Sequence, residues 1–170
     1  MKATSCQQAD EKMDRAQAGG NELRKLIARI ARDDGVLETL PGLYLGRRSA
    51  PTELGHGVYY PCFCVIAQGS KEVLLGDMRY RYDPAHYLIA TATLPVATRI
   101  IEASPEQPYL GLLLNLDPAL ISSVMVEASY SAVHSRSSVK AINVSRLGVE
   151  LLDAVVRLVR LIDTPKEAHF

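Results

Sequence analysis

The sequence predicts a mainly β protein of the α+β class, in which an antiparallel meander is flanked by helices. Two short apolar runs, 62–68 and 71–75, are separated by Gly69-Ser70, and a third run, 78–82, follows Gly76-Asp77. Because glycine tolerates the positive φ of tight turns, we expect the strands on either side of these turns to be antiparallel neighbours. A fourth run with aromatic and β-branched residues continues the pattern, which is typical of a sandwich or small barrel.

The composition is that of one globular domain without net charge. The 170 residues are 48% apolar, and Lys plus Arg and Asp plus Glu each total 19. The missing basic surplus argues against direct binding to DNA or to an anionic membrane. No apolar run approaches the about 18 residues that span a bilayer, and no signal-peptide pattern opens the chain. We therefore expect a cytoplasmic protein with no membrane partner.

The N-terminal third combines a polar start with one helix. Residues 1–20 are polar and end in Gly19-Gly20, which predicts a mobile arm or an expression remnant. A helix is expected over 21–34, with Asn21 as its cap. Its apolar residues fall at helical spacing: Leu23, Leu26, Ile27 and Ile30. The strands of the barrel or sandwich then occupy 36–116.

Two further helices are predicted after the strands. Asp117-Pro118 starts a helix over 118–128, because a carboxylate caps it and Pro occupies the first turn. Ser145 is expected to cap a last helix over 145–162. The apolar arc of that helix is wider than packing on one sheet needs, so we expect a homodimer through its stripe. The stripe consists of Leu151, Val155, Leu158 and Ile162.

Eight short motifs follow one another in register between residues 68 and 118. They are Gln68-Gly69-Ser70-Lys71, Leu74-Leu75-Gly76-Asp77, Tyr80-Arg81-Tyr82-Asp83-Pro84, His86-Tyr87-Leu88, Leu94-Pro95-Val96, Ala103-Ser104-Pro105-Glu106, Pro108-Tyr109-Leu110 and Leu116-Asp117-Pro118. This run closely resembles the N-terminal domain of AraC-type transcriptional regulators, and the resemblance covers residues 36–162. One departure is Ala85, where relatives tend to carry Gly.

The resemblance implies a fold and a function. The fold would be a cupin-like antiparallel β-barrel, of the double-stranded β-helix or jelly-roll type, with C-terminal helices for dimerisation. The chain would be the effector-sensing and dimerisation domain of a bacterial regulator that binds an unknown small-molecule effector. DNA would be bound only by a separate helix-turn-helix domain that is absent from this chain. Residues 163–170 would begin the linker to that domain.

A ligand pocket needs a mostly apolar wall with a few directional polar groups. Polar-tipped residues on or near the predicted strands are the candidates. An inward-facing arginine would also need an anionic partner. Both faces of 62–68 are apolar, so their pattern does not indicate which face lines the interior. The ligand-binding candidates are His56, Tyr60, Tyr82, Tyr87, Thr91 and Arg99.

Signatures of catalysis and of a metal site are weak. Enzymatic cupins bind their metal with a His-x-His motif, which the four histidines do not form, so only His56 and His86 could seed such a site. The sequence has no phosphate-binding Gly-rich loop and no nucleophile elbow. We therefore predict no catalytic residue, no metal and no cofactor. A metal-dependent cupin-like enzyme stays an alternative.

The thiols give a third hypothesis. The three cysteines are an odd number, which does not suit a disulfide framework. Cys62 and Cys64 are two residues apart on a predicted strand, so their side chains share a face. Buried structural thiols are the first interpretation. The alternative is a thiol-based redox sensor built on this pair.

Overall fold

Two antiparallel sheets face each other in the computed structural model, which describes residues 3–127 and 140–163, with side chains from Glu11 to Ile162 within those ranges. In these ranges there are ten strands and three α-helices. The elements in chain order are α1 Ala3–Ile30, β1 Gly35–Leu40, β2 Leu43–Arg48, β3 Gly55–Tyr59, β4 Cys62–Gln68, β5 Ser70–Leu75, β6 Met78–Tyr82, β7 His86–Ala90, β8 Leu94–Glu102, β9 Tyr109–Asn115, α2 Pro118–Glu127, β10 Ile142–Arg146 and α3 Val149–Arg160, followed by a 3-10 turn, Leu161–Asp163.

The strand order defines a larger and a smaller sheet. The six-stranded sheet runs β1-β2-β9-β4-β7-β10, and the four-stranded sheet runs β3-β8-β5-β6. The predicted class, mainly β with antiparallel strands and flanking helices, is confirmed. Among the described strands, hydrogen bonds do not close the two sheets into one barrel, so the domain is an open, two-layered version of the expected architecture.

One of the two predicted hairpins is a sheet crossing instead. Strands β5 and β6 pair around Gly76 as expected. Strand β4, however, pairs with β7 and β9, whereas β5 pairs with β6 and β8. The chain therefore changes sheets at Gly69, which has a φ of 82°. A glycine turn can join two strands of one hairpin or lead the chain into another sheet, and pairing with strands distant in the sequence decides which of the two occurs.

Helix α1 begins at Ala3, although the sequence predicted a mobile arm up to Gly20 and a helix from Asn21. Tertiary contacts with α3 explain the longer helix. A Cβ at Gly19 would lie 3.1 Å from Leu152 Cδ2, so the glycine allows close approach of the two helices. Ion pairs join the helices on either side of this contact, such as Arg15 to Asp153 at 2.8 Å.

The last helix begins later than predicted. Ser145 does not cap it, because residues 142–146 form β10 and pair with β7. Ile142, fully buried at the start of β10, packs between the sheets, and this burial favours the strand. Helix α3 begins at Val149. Helix α2 agrees with the predicted 118–128, with Asp117 Oδ1 accepting a hydrogen bond from Ala119 N at 2.7 Å.

Strand β4 separates two hydrophobic cores. Cys62, Cys64 and Ile66 pack between the sheets. Phe63, Val65 and Ala67 face the opposite way, against α1 and α3. Both faces of the strand are therefore buried, which is why its sequence lacks a polar side. None of the described helices is long and apolar enough to cross a bilayer.

Candidate functional site

A cavity of about 640 Å³ lies between the two sheets. Its wall is built from residues of both sheets, including Leu113 of β9 and Ile100 of β8. Val36 and Tyr60 border it and are 69% and 63% exposed, so the cavity opens to solvent on their side. Its volume is within the range of small-molecule sites, about 300–1,000 Å³.

Four polar side chains form the inner wall of this cavity. Lys71 on β5 lies opposite Tyr82 on β6, and the pleat directs both inward. Cys64 contributes from β4 and Tyr109 from β9. The Tyr109 ring lies over Gly111, where a Cβ would come within 2.8 Å of Tyr109 Cζ, so the glycine leaves room for the ring.

Lys71 is the cation of the inner wall. Its Nζ lies 5.5 Å from the ring centroid of Tyr59, a cation–π contact. Among the side chains of residues 11–127 and 140–162, no carboxylate comes within ion-pair distance of this ammonium. Burial lowers the pKa of Lys71, because leaving water disfavours its charged form. An anion in the cavity would compensate this cost.

Two arginines border the cavity near its mouth. Arg47 Nε lies 3.7 Å from Asp34 Oδ1. Arg48 Nη1 donates a hydrogen bond to the backbone oxygen of Arg47 at 2.8 Å. Hydrogen bonds from Ser49 N and Oγ, with help from both arginines, lower the pKa of Asp34. The mouth of the cavity therefore carries two arginines, whose positive charge is offset in part by Asp34 and by Glu53, which also lines the cavity.

The cysteine pair lies at the same inner wall. Cys62 and Cys64 are buried free thiols whose Sγ atoms are 3.9 Å apart. The hydrogen bond between them lowers the pKa of Cys62 and raises that of Cys64, with burial adding to the increase at Cys64. Lys71 favours the thiolate form of both. The redox hypothesis built on this pair stays a prediction.

The six predicted ligand-binding residues divide into two groups. Tyr82 lines the inner wall, Tyr60 lies at the mouth, and Arg99 borders the cavity. The Nε of Arg99 donates to Glu72 Oε2 at 2.8 Å, so the anionic partner expected for this arginine is a carboxylate of the domain itself.

The other three predicted residues lie away from the cavity. His56 is exposed on β3. Tyr87 packs on Phe63 on the helix side of the large sheet, with ring centroids 5.4 Å apart. Thr91 Oγ1 donates to the backbone oxygen of Lys140 at 3.3 Å.

Sequence reasoning missed Lys71, Tyr109 and Arg48. A signal for Lys71 was present, because it alternates with Val73, whose side chain is fully buried between the sheets. A lysine in step with an interior valine indicates a cation on the inner face. No comparable signal marked Tyr109, since its place depends on the glycine two residues later.

The two histidines that could seed a metal site do not meet. His86 Nδ1 lies 2.7 Å from Asp83 Oδ1 in the turn before β7, whereas His56 is on the outer strand of the small sheet. Within the described ranges no three His, Cys, Asp or Glu side chains are grouped as metal ligands. The alternative of a metal-dependent enzyme has no site to support it in this part of the chain.

The predicted dimerisation stripe is only partly available. Val155 is 3% exposed and belongs to the core between α1, α3 and the large sheet. Leu158 and Ile162 are half-buried against the same core. Leu151 is 37% exposed. Helix α1 therefore covers much of the apolar arc of α3, and an outer strip that includes Leu151 stays accessible.

Comparisons with known proteins agree with this architecture. The family model described as "AraC-type transcriptional regulator N-terminus" matches residues 39–170. A ligand-free variant of ToxT from Vibrio cholerae has a TM-score of 0.50 at 9% sequence identity, covering 74% of this chain and 49% of that chain. Wild-type ToxT bound to an unsaturated fatty acid has a TM-score of 0.48 at 6% identity, covering 78% and 50%.

The first of these structures shows a shared, cupin-like fold. The chain spans about half the length of the solved structures that it matches. No curated protein is significantly similar to it in sequence.

Proposed function

The chain belongs to the family of AraC-type transcriptional regulator N-terminal domains, and from this premise we propose that the cavity between its sheets receives a small-molecule effector. The observation that carries the proposal is the Lys71 ammonium on the inner wall, which lacks a carboxylate partner among the described residues. A half-buried cation without a counter-ion is costly unless an anion joins it.

The charge of the wall indicates the chemical class of the effector. Lys71, with Arg47 and Arg48 toward the mouth, favours a ligand with a carboxylate or a similar anionic group. Leu113 and Ile100 provide an apolar wall for the rest of the molecule. The effector we propose is therefore a small organic acid with an apolar body.

Thermal shift with matched ligands tests this proposal. Carboxylic acids of graded size are compared with their own neutral amides, so that each pair differs in charge while size is kept. We expect acids to raise the melting temperature more than amides do. Lys71→Met should weaken acid binding by about 10- to 150-fold, the equivalent of about 1.5–3 kcal/mol for a charged hydrogen bond. It should also raise the melting temperature of the ligand-free protein, because it removes a desolvated charge.

Two variants outside the cavity are the controls. His56→Ala and Thr91→Val should bind acids like the wild-type protein, because neither side chain borders the cavity. Equal affinity of the wild-type and Lys71→Met proteins for acids would refute the assigned role of Lys71. A protein that no acid stabilises would refute the anionic effector itself.

We also propose a homodimer through the outer strip of α3. Leu151 is the accessible apolar residue of the predicted stripe, and an exposed leucine beside half-buried Leu158 suits a second copy of the helix. Leu151→Arg should shift the sedimentation of the protein to that of a monomer without changing its far-UV circular dichroism. Val155→Arg, which buries a charge in the domain core, should unfold it instead. A wild-type protein that sediments as a monomer at high concentration would contradict this.

DNA binding belongs, in our proposal, to another part of a longer regulator that works in the cytoplasm. The net charge of zero in this chain and its span of about half of the similar structures support this division. The matched family consists of transcriptional regulators, so we propose no enzymatic activity, catalytic residue or cofactor for this domain.

A further inference from the structure

The Cys62–Cys64 pair is held at a fixed spacing by the sheet around it. Strand β4 is an inner strand that pairs with β7 on one side and β9 on the other. Cys62 lies opposite Ala90 and Asn115 in these two ladders. Hydrogen bonds constrain the backbone on both sides and both side chains are buried, so the two sulfurs, 3.9 Å apart, have little room to rearrange.

This spacing distinguishes between two kinds of dithiol chemistry. A disulfide needs its sulfurs about 2.05 Å apart, so the pair would have to close by almost half of its present 3.9 Å. Two thiolates bound to one central atom at about 2.3 Å each are about 3.4 Å apart for a pyramidal centre and about 3.7 Å apart for a tetrahedral one, which needs only a small closure of the pair. The pair therefore has the geometry for bridging one central atom, and it lacks that for a direct S–S bond.

The cavity gives access to the pair from the Cys64 side. Cys64 borders the solvent-connected cavity, and Cys62, which is 1% exposed, lies behind it within hydrogen-bond distance. The hydrogen bond from Cys64 lowers the pKa of Cys62, whereas that bond and burial raise the pKa of Cys64 despite the nearby Lys71 ammonium, so Cys62 is the thiol closer to the thiolate form that binds soft atoms. The Tyr59 hydroxyl nearby is buried and has no hydrogen-bond partner among the described residues.

The number of protein ligands narrows the class of bound species. In the described part of the chain, no third His, Cys, Asp or Glu joins the two thiols as a metal ligand. A structural zinc site needs four ligands, so this pair does not provide one. An atom bound by these two thiols must therefore already carry its remaining substituent.

We propose that Cys62 and Cys64 form a chelating dithiol site for a soft, thiophilic centre of the trivalent organoarsenical class. An organoarsonous acid, R–As(OH)₂, reacts with both thiols to give R–As(S-Cys)₂ and two molecules of water. Two As–S bonds replace two As–O bonds, each thiol proton leaves with a hydroxide as water, and the oxidation state does not change. The step needs no further reactant, and the organic group R would extend into the cavity past Cys64.

Phenylarsine oxide, which hydrates to such an acid, is the probe. Titration of the reduced protein, followed by intact mass and a thiol count, should show one phenylarsenic group per chain and the loss of two thiols. An excess of a monothiol should not release the group, whereas a small dithiol should. Cys62→Ser and Cys64→Ser should each weaken binding by about 100-fold or more, since a chelate then becomes a single bond. Cys6→Ser is the matched control and should bind like the wild-type protein.

Several results would overturn the site. These are the loss of one thiol per arsenic, unchanged binding by Cys62→Ser, or failure of the native protein to react while the unfolded protein does. Should a serine variant fail to fold, the thiol count on the wild-type protein still decides the question. The site does not depend on the anionic effector. A Lys71→Met protein that loses acid binding but keeps arsenical binding, or keeps acid binding but loses arsenical binding, would separate the two proposals.

Discussion

Substitution of Gly69, where the chain passes from one sheet to the other, tests two backbone constraints: a positive φ and a crowded Cβ position. Its φ is 82°, and a Cβ at this position would overlap the Glu102 carbonyl oxygen and lie 3.2 Å from Tyr109 Cα. A positive φ costs a non-glycine residue about 1–2 kcal/mol. Forcing extra atoms into a packed site costs about 1–3 kcal/mol more. Gly69→Ala should therefore lower the free energy of unfolding by about 2–5 kcal/mol.

Two other glycines separate these terms. Gly76 has a φ of 56° with nothing within 4 Å of an added Cβ, so Gly76→Ala should show only the conformational cost, about 1–2 kcal/mol. Gly57 is equally open and lacks a positive φ, so Gly57→Ala should be neutral or slightly stabilising. Urea unfolding followed by circular dichroism ranks the three variants. Equal losses in Gly69→Ala and Gly76→Ala would refute the argument that the backbone of the corner is crowded.

Two ionic predictions concern Glu72 on β5 and Asp83 in the turn between β6 and β7. Glu72 is buried between Arg99 and Arg79, so Glu72→Gln should lower the free energy of unfolding by about 1–2 kcal/mol, less than for a fully buried pair because both arginines reach water. A urea midpoint equal to that of the wild-type protein would contradict it. Burial opposes ionisation of Asp83, but hydrogen bonds from His86 and the Ala85 N–H outweigh it, so its pKa is lowered from 3.8. Its stabilising effect is therefore present above that pH and is lost as the pH falls through the lowered pKa. The stability advantage of the wild-type protein over Asp83→Asn, measured by urea unfolding at about pH 6 and about pH 3, should shrink in acid, and a constant difference would show that the carboxylate charge plays no part.

Local signals predicted the elements well and their partners less well. The β5–β6 hairpin followed from the glycine turn at Gly76, since both strands are adjacent in the chain and in the sheet. The turn at Gly69 has the same local signal, yet β4 and β5 pair with different strands. Residues far along the chain make that choice, and no local pattern contains it.

The helices show the same limit. Gly19-Gly20 predicts an interruption by propensity alone. The helix continues because Gly19 packs closely on Leu152, a residue more than a hundred positions away. Ser145 has the chemistry of a helix cap, but pairing of β10 with β7 places it in a strand. In each case a tertiary contact overrides a local preference.

Site residues could be predicted where one residue of the same strand is known to face the space between the sheets, because side chains alternate between the two faces of a strand. Tyr82 is on the inner face, and Lys71 could have been placed there from Val73. Tyr87 was misleading, because both faces of the large sheet at β4 and β7 are buried, one by helices and one by the other sheet. Hydrophobicity identifies burial there, but it does not distinguish the cavity side from the helix side.

The alternation of side chains along β4 connects the two hydrophobic cores. Even-numbered side chains from Cys62 to Ile66 border the space between the sheets, and the odd-numbered ones in between support α1 and α3. Sliding the strand by one position would exchange the two sets, so ladders on both edges oppose that movement. One stretch of seven residues is thus shared by the space between the sheets and by the packing of both helices, so a substitution on either side of it is felt in both cores.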